Sequence, residues 1–465
     1  MSSKVLNHFK SASKTIEERM AEGKALRVQF PRTDQGEYKL AAGRADPVSI
    51  LEAQAVTRLP DLVPIRYARM LTSSFAFLRG GAAIMAADLA AGPKPTGINV
   101  QSCGDMHVAN FGVFASAERK IIFGINDFDE TLPGPWEWDL KRLVASIVSS
   151  CRFLGGDDTL CRESVMAAAS SYRKRMKQYA FMGYMDLRYS TITEKDILAT
   201  LPPPLQKALK RLTNKARERT HLQVLTKLTD IVDAKYRLRD DAPFIVHETH
   251  SQQGRPIDEA LGMLLESYMQ SLADDRKALL HQYRIVDVAR KVVGVGSVGT
   301  RCWIIFMIGN STGDPLFLQV KEAQPSVLES YVSDSLYTNP GQRVVAGQRL
   351  IQAAPDILLG WGEVDGISFY LRQLRDMKGG VEFAPGKAVL TNMPDYGRLC
   401  GWALALAHAK SGNAAMIAGY AGNSGELDEA MVRFAFAYAD QNDKDYRVLV
   451  KAAKSGRIKV AGAAV

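Results

Sequence analysis

A chain of 465 residues is too long for one ordinary hydrophobic core and sets an expectation of two or three lobes. Its 46% hydrophobic and 23% charged residues are those of a globular chain, and 59 Lys and Arg against 50 Asp and Glu give a formal charge of +9, which favours anionic ligands such as phosphates and is too small to argue for nucleic acid. Five cysteines without paired spacing exclude a disulfide framework and a cysteine-based zinc site as expectations, and no run reaches the roughly 18 apolar residues of a membrane span.

The N-terminus mixes Lys4, Lys10, Lys14, Glu17, Glu18 and Arg19 without the apolar stretch of a signal peptide, so the chain is expected in the cytoplasm. Residues 1–45 read as a polar arm laid over the surface. From Pro47, the residues Val48, Leu51, Ala55 and Leu59 recur at helical spacing, and a second apolar run covers 70–89. Arg66, Arg69 and Arg79 stand among these apolar residues and read as surface heads on buried helices, with a phosphate-facing role as the alternative.

A short strand at 98–100 delivers the loop Cys103-Gly104-Asp105-Met106-His107-Val108-Ala109-Asn110. Strands at 111–114 and 121–125 form a hairpin that folds Asp127 back toward Asp105 and Asn110. Residues 138–154 read as a helix buried over much of its circumference, and 160–240 as mostly amphipathic helix broken at 201–204. The basic run from Lys207 through Lys215, Arg217 and Arg219 is read as a solvated face, since no aromatic residues interleave. His247-Glu248-Thr249-His250 spaces its histidines too closely for the HExxH zinc motif.

Residues 240–282 are expected to link two lobes. From Tyr283 the pattern becomes β: strands at 286–293, 302–308 and 316–321 form an antiparallel meander, followed by a helix over 342–354, a strand at 368–374 and buried helices at 396–409 and 427–438. Gly294, Gly296 and Gly299 would open a Rossmann unit if a helix followed them, but 303–308 reads as a strand. A glycine loop between antiparallel strands, with a lysine on the next strand, is how protein kinases cover ATP phosphates, and Lys321 ends such a strand. A bare hairpin and a surface lysine are the alternatives. In the same chemistry Asp105 would orient and deprotonate an alcohol, and Asn110 and Asp127 would offer hard oxygens to Mg²⁺. Taken singly, each of these residues is more commonly explained as a buried helix cap, and only the combination favours the phosphate chemistry.

Asp105-x-His107-x-x-Asn110 followed by Asp127-Phe128-Asp129 resembles the catalytic and metal motifs of the aminoglycoside phosphotransferases and choline kinases, the small-molecule branch of the protein-kinase-like superfamily. Trp138-Asp139-Leu140 is similar to the Asp-Leu that starts their buried helix, while Cys103 stands where their loop usually has histidine. Over 46–443 the chain resembles a bacterial family of uncharacterised kinase-like proteins known only as a domain of unknown function, on the stretches 127–142, 287–301 and 318–323.

The resemblance implies an α+β, protein-kinase-like fold of two lobes that binds ATP and Mg²⁺. It implies phosphoryl transfer to a small hydroxyl- or amine-bearing acceptor, which nothing in the sequence names. AMP transfer, protein phosphorylation and nucleotide binding without turnover are the alternatives. In kinases the glycine loop and lysine precede the aspartates; here they follow, so the fold is expected to be circularly permuted. The expected parts are the arm at 1–45, a helical large-lobe part at 46–282 with the catalytic and metal loops, a small antiparallel-sheet lobe at 283–378, and helices at 379–465 returning to the large lobe. Glu329 is the expected ion-pair partner of Lys321, and 373–378 the expected adenine hinge. No nucleic-acid partner is expected, and the oligomeric state is not readable.

Overall fold

The computed structural model describes residues 9–462 apart from 12, 202, 219–220, 233–234, 252, 293, 353, 375–377 and 386–389. The chain is α+β, about half helical, with several antiparallel sheets. Six helices organise it: α1 (Trp136–Phe153), α2 (Asp158–Ala180), α3 (Ile257–Gln270), α4 (Pro340–Ile351), α5 (Met393–Ser411) and α6 (Glu426–Lys454).

Residues 136–151 of α1 are buried on every side, although Glu137, Asp139, Lys141, Arg142 and Ser146 are among them. A helix this polar stays buried because most of its polar groups find partners: Asp139, Arg142 and Ser146 in the loops of the candidate site, and Glu137 at the Thr96 N–H, 2.8 Å away. Helices α2, α5 and α6 surround α1. The crossing of α2 and α5 is close because α5 carries glycine four residues apart: a Cβ on Gly397 would lie 2.7 Å from the Ser164 carbonyl oxygen, and one on Gly401 would collide with that of Ala168. The segment expected as a surface arm is packed in. Helix Ile16–Ala25 lies against Ala414–Ala421, and Arg44 pairs with Asp88 and with Asp445 of α6.

Strands β1 (Asn99–Ser102) and β4 (Leu132–Pro135) pair antiparallel, as do β2 (Phe111–Ala115) and β3 (Ile121–Ile125), the expected hairpin. The second lobe is a six-stranded antiparallel sheet formed by β5 (Ile245–Val246), β6 (Arg284–Lys291), β7 (Cys302–Ile308), β8 (Pro315–Glu322), β9 (Gly360–Val364) and β10 (Ile367–Gln373), in the order β9-β10-β8-β7-β6-β5. Residues 302–308 are therefore a strand, which removes the Rossmann alternative. Alternation sorts the sheet into two faces. Ile305, Leu318, Val320 and Leu371 pack against Leu264 and Tyr268 of α3. Ile304, Phe306 and Phe317 pack against Val224, Leu225 and Leu238, and on this second face Lys321 and Tyr370 stand opposite each other in register.

Residues 240–282 do not link the lobes. They supply the edge strand β5 and the helix α3 that covers the sheet, so the sheet lobe starts well before 283. Among the described residues no helix is long and apolar enough to cross a membrane.

Candidate functional site

The loop at 103–110 is held from beneath by the first turn of α1. The Asp139 carboxylate accepts the N–H of Cys103 at 2.6 Å and of Gly104 at 3.0 Å, and His408 Nε2 of α5 lies 3.2 Å from it, with His408 Nδ1 in turn 2.8 Å from the Tyr172 hydroxyl. Gly104 has φ +81° and a Cβ there would strike the Glu130 carbonyl, so this turn needs glycine. Ser146, two turns further along α1, accepts the Val108 N–H at 2.8 Å. Cys103 is buried under the loop, its thiol 3.0 Å from the Asp127 carbonyl, so it ties the 103–110 loop to the 127–131 loop.

Asp105 receives Arg142 Nε at 2.7 Å and a second bond from Nη2; Arg142 also donates to the Leu78 carbonyl. Burial raises the Asp105 carboxyl above its ordinary range, an effect Arg142 opposes. His107 is buried beside Arg79 and Arg142, and desolvation pushes its imidazole well down, which keeps the ring neutral. Asn110 Nδ2 donates to the Asp105 carbonyl at 2.7 Å, which leaves Oδ1 as the amide's remaining acceptor.

Asp105, Asn110, Asp127 and Asp129 line one cleft of about 960 Å³ with Gly294 and Gly296 from the other lobe. Lys321, on β8, is buried and does not itself line the cleft; its Nζ bonds Asp129 across 192 residues of sequence and lies 3.9 Å from Asp127. Burial alone would raise the Asp129 carboxyl, but the charge and hydrogen bond of Lys321, with the Tyr370 hydroxyl at 2.7 Å, bring it down to about 2. Asp127 moves the other way, raised by burial and by the neighbouring Asp129. The asymmetry leaves Asp129 committed to Lys321 and Asp127 open to the cleft.

Glu329 is not the partner of Lys321. Its Oε1 accepts the Ser326 N–H at 2.8 Å and lies 3.7 Å from Arg343 Nε, because α4 carries an arginine where the expected pairing needs an acid. Arg343 holds the 127–131 loop directly, donating to the carbonyls of Thr131 at 2.6 Å and Asp129 at 2.7 Å. The glycine loop is a run of turns with positive φ at Gly294 and Gly299, and it leans on the helical lobe. Leu59 N donates to the Gly299 carbonyl at 2.8 Å, Arg58 donates to that of Val298, Arg69 to that of Gly294, and Ser297 Oγ lies 3.1 Å from Asp129. The surface-head reading fails for Arg66, which is 1% exposed and lines the cleft with Arg58 and Arg79. The expected hinge falls partly on 375–377, outside the described residues.

The pairing of Asp129, the arginines at 58, 142 and 343, and the His408 and Tyr370 supports were not read from the sequence. The available signal was the second aspartate of Asp127-Phe128-Asp129, two residues from one already singled out.

The oxygens of Asn110 and Asp127 are hard donors of the kind Mg²⁺ takes. Among the described residues no group of three or more His, Cys, Asp or Glu is disposed to hold a metal ion, so such an ion would need phosphate oxygens to complete its shell. No curated protein and no solved structure matches the chain. Residues 58–452 match the model of a family described as an uncharacterized protein conserved in bacteria (DUF2252), and the chain belongs to that family.

Proposed function

We infer that the protein is a Mg²⁺- and ATP-dependent phosphotransferase acting on a small hydroxyl- or amine-bearing acceptor, on a kinase-like fold whose lobes follow one another in inverted order. One observation carries this reading. A lysine on the central strands of an antiparallel sheet meets the acidic loop of a helical lobe, beside a glycine loop and opposite an aspartate–asparagine loop. Phosphoryl transfer asks little covalent chemistry of a protein and much positioning of charge, which is what this arrangement offers.

In this reading Asn110 and Asp127 would hold Mg²⁺, which would neutralise charge on the phosphates. Lys321 exchanges part of its bond to Asp129 for phosphate oxygens, and the turns at 294–299 present backbone N–H groups to them. The carboxylate of Asp105, steadied on one oxygen by Arg142, takes the acceptor's proton. The acceptor oxygen or nitrogen bonds to the γ-phosphorus, the bond from that phosphorus to the β–γ bridging oxygen breaks, and ADP leaves.

Thermal unfolding with and without Mg-ATP tests the reading, since ligand at a hundredfold excess over Kd adds about 2.7 kcal/mol of stability. The wild type should be stabilised by the nucleotide in a Mg²⁺-dependent manner and Asp127→Asn should lose the Mg²⁺ dependence. A melting temperature indifferent to millimolar nucleotide, with or without Mg²⁺, refutes it. Mass spectrometry of the modified acceptor then separates a phosphoryl adduct from an AMP adduct.

A further inference from the structure

Three guanidinium groups of the helical lobe line the cleft with polar atoms that nothing satisfies. Arg66, on helix Val63–Met70, donates from Nη2 to Gln54 Oε1 at 2.9 Å and to the Gly80 carbonyl at 3.2 Å, while its Nε and Nη1 are buried without a partner. Arg79, in helix Ser74–Gly80, has its Nε buried and unpartnered, and the Phe75 ring lies 5.9 Å from its guanidinium carbon. Arg58 donates from Nη1 to the Val298 carbonyl at 2.6 Å, and its Nε too is unpartnered.

None of the nearby carboxylates forms an ion pair with these three groups. Asp105 holds Arg142, Glu322 holds Arg301 at 3.0 Å, Asp129 holds Lys321, Glu130 accepts the Val327 N–H at 2.8 Å, and Asp127 acts on Arg79 only through its charge. Desolvation accordingly pulls all three arginines below their ordinary pKa, and the charge of Arg58 adds to the effect on Arg66. A buried cation without a counter-ion is costly, and a fold that keeps three of them on one cavity wall is arranged for an anion that arrives later.

We propose that Arg58, Arg66 and Arg79 form a second anion subsite in the cleft, and that it takes the dianionic phosphate monoester group of an already phosphorylated small-molecule acceptor. Calling that molecule the acceptor rests on the phosphotransferase reading; the anion site itself does not. Guanidinium forks match tetrahedral oxyanions by paired N–H donors, and two negative charges suit three cations better than one carboxylate would. Arg79 and Asp105 line the same cleft, so a phosphate held by the arginines leaves the rest of its molecule in the space that the proposed base faces.

Isothermal titration calorimetry of the full chain with inorganic phosphate, at constant ionic strength, tests the subsite without requiring turnover. Phosphate should bind the wild type, and Arg58→Gln and Arg79→Gln should each weaken it by about tenfold or more, the scale of one charge-assisted contact. Binding should persist with Mg²⁺ and a non-hydrolysable ATP analogue present. If a glutamine variant does not fold, Arg79→Lys keeps the charge and loses the fork, and should weaken phosphate several-fold. No phosphate binding by the wild type, unchanged affinity in the variants, or displacement of phosphate by the analogue overturns the proposal; displacement would give the arginines to the nucleotide. Phosphate binding in a chain that ignores nucleotide sinks the phosphotransferase reading and leaves the anion site standing, and the reverse result does the opposite.

Discussion

Asp139 is the point at which the fold and the candidate site are most tightly joined, so Asp139→Asn is the sharpest perturbation. Its side chain is 1% exposed and both carboxylate oxygens are engaged by N–H groups: Oδ2 by Cys103 and His408, Oδ1 by Gly104. An asparagine must turn its NH₂ toward one of these donors, and neither amide orientation avoids a donor facing a donor. One charge-assisted bond, worth about 1.5–3 kcal/mol, is lost and the other falls to the strength of a neutral bond, about 1 kcal/mol. The sum is a destabilisation of about 2–5 kcal/mol. At about 2.1 cal/mol/K of unfolding entropy per residue, a chain unfolding as one unit would then melt about 2–5 °C lower. Urea titration gives the free energy, and hydrogen exchange at the Cys103 and Gly104 amides reports the loop itself, where protection should fall more than it does in β7. A loss under about 1 kcal/mol with both amides still protected would show that the loop is held by something other than Asp139.

The Asp129 carboxyl sits at about 2 against an ordinary 3.8, so it contributes stability above pH 4 that is lost as the pH falls toward 2. The amount is about 2 kcal/mol at 1.36 kcal/mol per pKa unit, and wild-type stability measured from pH 5 to pH 2 should fall more steeply than that of Asp129→Asn. Lys321→Met removes a buried cation from two partly exposed carboxylates and should cost on the order of 2 kcal/mol in urea melts, less than the ~3–5 kcal/mol of a fully buried pair. Asp129→Asn leaves Lys321 with Asp127 3.9 Å away and should cost less; the opposite order would refute the assigned pairing. Gly401→Ala drives a Cβ into the Ala168 carbonyl and should cost at least about 2 kcal/mol, whereas Gly262→Ala, exposed in α3 with nothing within 4 Å, should gain about 0.5–1 kcal/mol in the same assay.

What the sequence disclosed was what depends on neighbours along the chain. Strand alternation from 302 to 321 and the loop between Cys103 and Asn110 are local patterns, and they stand in the structure as β7, β8 and a loop capped by α1. The arginines of 58–79 were illegible for a different reason. An arginine among apolar residues looks the same in sequence whether its head reaches solvent or a cavity, and only the packing of the glycine loop against Arg58 and Arg69 decides it. The segment 240–282 was misread because an edge strand of two residues, Ile245–Val246, carries no periodic signal of its own.

The partner of Lys321 was sought within ten residues, at Glu329, and found 192 away. Yet one physical cue for it lay in the short motif itself. Phe128 is 1% exposed, so its side chain claims the interior of the loop, and side chains at 127 and 129 are thrown together onto the other side. Two carboxylates so placed repel each other unless cations separate their roles. Lys321 takes Asp129 and holds it ionised, while Asp127 is raised by burial and by that same neighbour. The spacing of two aspartates around one buried phenylalanine thus calls for positive partners from elsewhere in the fold. The chain supplies Lys321 by direct contact and Arg372 through its charge, which acts on both carboxylates, and neither could be read from the motif because β8 and β10 bring them from about 190 and 240 residues away.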